Sequence, residues 1–127
     1  MEPRLATEFR GLAARANYLS LDRPDILFAT KEICREMAKP TERGMQRMKR
    51  LARYLLQLPR IISELNPNME DDGIVDVYSD SDWAGCLRTR RSTSGGVMML
   101  WNGVVKTWSN TQTTIAQSSG EAEYYTQ

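Results

Sequence analysis

Asn102-Gly103 stands between two β-rich runs, Gly96–Trp101 and Val104–Ser109. Asn-Gly supplies the positive backbone dihedrals of a two-residue turn, and apolar flanks on both sides make it a strong hairpin signal. The spacing predicts antiparallel strands over 96–101 and 104–109. Ile74–Ser79 has the composition of a further, buried strand upstream. Ser118-Ser119-Gly120-Glu121 then reads as a helix start.

Nothing before Pro59 looks like this. There the apolar positions recur every three or four residues, the period of a helix buried on one side. Phe9, Leu12, Ala13, Ala16 and Leu19 make one such stripe. Pro24 suits the first turn of a second helix, carrying Ile26, Phe28, Ala29, Ile33 and Met37 as far as Lys39-Pro40. Thr41 is placed to cap a third, with Met45, Met48, Leu51, Ala52 and Leu55 on one face. Ile61–Leu65 reads as a short strand, and the Asn, Pro, Asp and Gly content of 66–73 as a loop. The expected organisation is α+β: helices over 1–66, a boundary in 66–73, and strands with a final helix start over 74–127.

The chain has 127 residues, 41% hydrophobic and 26% charged, which suits a globular protein. Its net charge is +1, so attraction to a polyanion has to come from local patches. The absence of histidine excludes Ser-His-Asp and Cys-His catalysis and any zinc site that uses histidine. Phosphoryl chemistry on a carboxylate-held magnesium stays open, because oxygen ligands suffice. Cys34 and Cys86 form no CxxC pair, so reduced thiols in an intracellular protein, cytoplasmic or nuclear, are expected. No apolar run approaches the length of a membrane span and the N-terminus lacks the marks of a signal peptide, so no membrane partner is expected.

Two carboxylate pairs are candidates for metal chemistry. Asp80 and Asp82 lie two apart, which puts them on one face if the strand runs through them. Spacing alone favours the plainer reading, polar residues that end a strand in a turn. Glu121 and Glu123 diverge by roughly 200° on a helix, so both cannot enter one site. Glu121 fits the capping box with Ser118, which leaves Glu123 as the ligand candidate, or as a solvated first-turn acid. Basic residues gather in two places. Arg47 and Arg50 lie on the third helix, and Arg88, Arg90 and Arg91 lie in "RTRRSTS". Both suit phosphate contact and both are also ordinary surface chemistry.

Four ordered blocks carry a family resemblance: "VYSDSDWAG", "TRRSTSGGVMML", the strand in "VKTWSN", and "SSGEAEYY". Together they resemble the ribonuclease H domain of copia-type LTR-retrotransposon polyproteins. Upstream, "YLSLDRPDILFATKEICREMAKPT" and "MKRLARYLLQLPR" resemble the segment that joins reverse transcriptase to that domain. The resemblance implies an incomplete ribonuclease H-like fold, three antiparallel strands and the start of the first long helix, behind the reverse transcriptase C-terminal or connection helices. It implies hydrolysis of RNA in RNA–DNA hybrids with Mg²⁺. Asp80 and Glu123 match the family's metal ligands and Asp82 a recurrent auxiliary position. The implied partners are an RNA–DNA hybrid or other nucleic acid and the remainder of the Pol polyprotein. The family's other metal-binding aspartates have no counterpart before Gln127. The chain alone is therefore expected to be inactive. The competing expectations are a non-enzymatic nucleic-acid-binding remnant and a decayed reading frame.

Overall fold

Pro3 opens helix α1 (Pro3–Leu19), where its missing N–H costs nothing because the first helical amides have no intrahelical acceptor. In the computed structural model, which describes residues 1–65, 67 and 73–126, the chain divides into two units, Met1–Ile62 and Ser63–Gln127.

The first unit is helical. α1 buries Ala6, Phe9, Ala13 and Ala16, the three-and-four spacing of its apolar stripe. Pro24–Ile26 forms a 3₁₀ turn that leads into α2 (Leu27–Cys34). α2 is shorter than the periodicity suggested. After Cys34 the amides of Glu36 and Met37 bond to Ile33 and Cys34, three residues back, so the last turn tightens out of α geometry before Pro40. Thr41 caps α3 (Glu42–Gln57): its Oγ1 accepts from the Gly44 amide at 3.0 Å. Phe9, Ala13, Ala16, Ile26, Ile33, Met48 and Leu51 form one core, with Leu12, Cys34, Met37, Met45 and Leu55 packed around it.

A buried arginine locks the end of α3. Arg23 is 6% exposed. Its guanidinium donates to both Asp25 carboxylate oxygens, at 2.9 and 2.7 Å, and to the Leu58 and Pro59 carbonyls at 2.9 and 3.1 Å. The Tyr54 hydroxyl donates to Asp25 at 2.9 Å. The hydrogen bond from Arg23 holds the Asp25 carboxyl below the usual carboxylate range, and the bond to Asp25 raises the Tyr54 phenol.

The strand expected over Ile61–Leu65, which spans the division between the units, does not form; these residues have no regular structure. The sheet is β1-β2-β3 and does not include them. The loop expected over 66–73 lies mostly outside the described residues. The sheet comprises β1 (Val75–Asp82), β2 (Thr93–Leu100) and β3 (Gly103–Thr111), antiparallel throughout.

The hairpin sits one residue earlier than Asn-Gly spacing implied. Leu100 pairs with Gly103, and Trp101 and Asn102 are the turn, with φ of 48° and 60°. Gly103 starts β3 instead, buried against Leu65, where a Cβ would run into the leucine side chain and come within 2.9 Å of the Glu64 carbonyl. Packing, not turn geometry, requires glycine there. Between Met98 and Met99 the register slips and leaves Val105 unpaired, a bulge that twists the pair.

The short helix α4 (Ser119–Tyr124) packs beside β1. The second unit buries small and polar residues: Ala84, Ser92, Ser94, Gln112, Ala116 and Ala122. Among the described residues no helix is long and apolar enough to cross a membrane.

Candidate metal and nucleic-acid site

β1 runs through both aspartates. It ends at Asp82, not before Asp80, so the turn reading that spacing favoured is overturned, and the two carboxylates share one face of the strand. Asp80 pairs with Gly95 and Asp82 with Thr93. Both are exposed. Asp80 Oδ1 accepts the amide of Ser81 at 2.7 Å. Asp82 Oδ1 accepts the amide of Thr93, and its carboxylate covers Gly85, where any Cβ would run into it. Asp82 thus closes the sheet end onto the turn that follows.

That turn is the "WAG" of the first block. Ala84 adopts φ 52°, and its amide donates to the buried Ser92 Oγ at 3.0 Å. The Trp83 indole N–H donates to the Ala116 carbonyl at 3.1 Å, tying the turn to the segment before α4. The connector closes on itself: Arg90 N donates to Cys86 O at 2.6 Å and Cys86 N to Arg91 O at 3.2 Å. Arg88, Arg90 and Arg91 are all exposed on this loop, Arg90 at φ 55°.

α4 begins with a cap. Ser118 Oγ accepts the Glu121 amide at 3.2 Å. The Glu121 carboxylate reaches back to the Gln117 amide at 2.7 Å, one residue earlier than the usual box partner, and accepts from Tyr125 Oη at 2.9 Å. That bond raises the Tyr125 phenol. Glu123 is exposed. The helix is held to the sheet by Ala122, fully buried, and by Thr126, whose hydroxyl lies 3.0 Å from Ser94 Oγ. Gln112 completes the tie, donating Nε2 to Ser94 Oγ at 2.9 Å and to the Ala122 carbonyl at 2.7 Å.

These contacts decide which sheet face α4 occupies. Ser94 pairs with Ser81, so Ser81 lies under α4, and its hydroxyl is buried. Alternation puts Asp80 and Asp82 on the opposite, uncovered face. Among the described residues no three His, Cys, Asp or Glu side chains come together for a metal ion. Magnesium wants an octahedral shell of well-placed oxygens. Asp80 and Asp82 lie on one face of the sheet, with Asp82 Oδ1 accepting the Thr93 amide, and Glu123 is carried by the helix packed on the other.

In the first unit, Arg47 is paired with Glu36 at 2.8 Å. Arg50 forms no ion pair among the described residues. The Arg23–Asp25–Tyr54 network was not anticipated from the sequence. Its signal was the Arg-Pro-Asp spacing of "DRPD", which places a cation and an anion two residues apart around a helix start.

No family model and no solved structure matches the chain. An uncharacterized mitochondrial protein of Arabidopsis thaliana is 36% identical over 118 residues, covering 93% of this chain and 48% of that protein. The retrovirus-related Pol polyprotein from transposon RE1 of the same plant is 35% identical over 120 residues, 93% of this chain and 8% of the polyprotein. That from transposon RE2 is 32% identical over 127 residues, again 93% and 8%. The chain therefore spans about half the first relative and a small part of the other two. A helical unit followed by an antiparallel three-stranded sheet and a capped helix, matched along nearly its whole length by two polyproteins, defines a retroelement segment. Its homologues are retrovirus-related Pol polyproteins, consistent with a copia-type retrotransposon Pol fragment.

Proposed function

We propose that the chain supplies the reverse transcriptase connection helices and the front half of a ribonuclease H-type domain, and that alone it does not hydrolyse RNA. The family context is magnesium-dependent cleavage of RNA in RNA–DNA hybrids. The observation that carries this reading is the order of parts: strand, connector, hairpin and a Ser118-capped helix packed beside the first strand, in a chain that two Pol polyproteins match. The expectation of inactivity is supported by Asp80 lying on the sheet face opposite the one that α4 covers. The natural partner of this segment is the rest of a Pol polyprotein.

The purified chain, incubated with an RNA–DNA hybrid and Mg²⁺, is expected to give no cleavage above a metal-free control. Robust cleavage that disappears in Asp80→Asn would sink the proposal.

A second reading, binding to nucleic acid without catalysis, is favoured by the outer face of α3. Arg43, Lys49, Arg50 and Arg53 are exposed there, with Glu42 the helix's one acidic residue. Electrostatic attraction of this kind weakens steeply with salt.

A further inference from the structure

Between α2 and α3 lies a groove of about 540 Å³, within the range of small-molecule sites. Its floor is apolar, from Ile26, Ile33 and Leu51; Phe28 and Tyr54 stand at its sides, and Arg50 at its rim. Phe28 is 57% exposed and Tyr54 37%, so both rings are accessible from solvent.

The charges around it are not balanced. Asp25 and Glu32 also line the groove, but each is already answered from within the fold. Asp25 is held by Arg23 at 2.7 Å, and Glu32 by Arg35 at 2.9 Å and Lys31 at 3.3 Å. Arg47 is answered by Glu36. Arg50, with Arg43, Lys49 and Arg53 along the same helix, has no counter-charge among the described residues. Lys31 Nζ, already paired with Glu32, also lies 4.6 Å from the Phe28 ring centre. An apolar slot with exposed aromatic sides and an unanswered cationic rim matches a flat apolar group that carries an anion. It is the combination by which single-stranded nucleic acids are held, bases on aromatic rings and phosphates on cations.

We propose that this groove binds one unstacked base of a single-stranded nucleic acid, with Phe28 against the base and Arg50 on its phosphate. A duplex keeps its bases stacked and cannot fill it. The inference rests on the nucleic-acid partner of the reading above and on none of its carboxylates.

The test uses the full chain in EDTA, with a short fluorescein-labelled oligothymidylate and fluorescence anisotropy. Because no metal is present, its result is independent of the hybrid-cleavage assay. The single strand is expected to bind more tightly than a blunt duplex of equal length. Phe28→Ala should weaken it roughly tenfold, and Phe28→Tyr should restore it. Arg50→Ala, at an exposed position, should reduce the slope of log affinity against log salt by about 0.7, the loss of one phosphate contact on a single strand. Melting curves establish that each variant is folded. Phe28→Ala binding as well as the parent overturns the proposal. So does equal affinity for duplex, or no binding at low salt. An acidic amphipathic peptide that occupies the groove while the oligonucleotide does not would assign it to a protein partner instead.

Discussion

The Trp108 ring lies over Gly96, its neighbour across the β2–β3 ladder, in the space a side chain would take. Glycine weakens a strand by entropy and by leaving nothing to pack. Here the indole supplies the missing surface. Gly96→Ala would drive a Cβ into the ring, and the rigid indole can yield only by leaving its place. Thermal melts should show a loss of about 1–3 kcal/mol. In the Trp108→Ala background the same change should cost much less, and equal costs in both backgrounds would rule out the overlap as the cause.

Thr30 offers the opposite sign. It is fully buried on α2, and its hydroxyl has no hydrogen-bond partner. A buried polar group without a partner costs its desolvation and returns nothing. Thr30→Val keeps the shape and removes the hydroxyl, so urea unfolding should show a gain of about 1 kcal/mol. A loss of stability would mean that the hydroxyl is bonded in solution.

The Arg23–Asp25 pair should set part of the acid sensitivity of the helical unit. The Asp25 carboxyl is lowered first by its hydrogen bond from Arg23. An unfolded aspartate therefore binds a proton at a pH where the folded one does not, so stability rises with pH in that window. The contribution is complete above the ordinary aspartate range and is lost as pH falls through the lowered folded value. Melting temperature against pH for the parent and Asp25→Asn should differ at neutral pH and converge in strong acid. Parallel curves would show that the pair contributes no pH dependence.

α4 is only six residues long and depends on its first turn. Ser118→Ala removes the acceptor for the Glu121 amide and should cost about 0.5–2 kcal/mol. Hydrogen exchange at the Glu121 amide should accelerate well before amides in β2 respond. Unchanged exchange at Glu121 would show that the hydroxyl does not protect it.

What could be read in advance follows physical locality. α3 was legible because one helix carries its whole signal: Met48 and Leu51 inward, arginines outward, and Thr41 at the start. The hairpin was legible as a hairpin, but its turn was misplaced by one residue. A glycine has two explanations, freedom of φ and absence of a Cβ, and only Leu65 packed against Gly103 distinguishes them. Ile61–Leu65 has strand composition but stays outside the sheet, and whether a run joins a ladder is not a local property. Asp80 and Asp82 were recognised as a pair, while the face they occupy depended on Ser94 meeting Thr126, residues far apart in the chain. The Arg23 network likewise joins positions 23, 25, 54, 58 and 59, which no short window holds together.

The two units bury different matter, and that difference has a calorimetric consequence. Beside Ser20, Arg23 and Thr30, the helical unit hides Phe9, Ile26, Ile33, Met48 and Leu51, whereas the described part of the second hides serines, a glutamine and alanines and rests on its main-chain ladder. Exposing apolar surface raises the heat capacity on unfolding and exposing polar surface lowers it. The sheet unit should therefore have a flatter stability curve than the helical unit. On chilling under mild denaturant, the helices would be the first to let go.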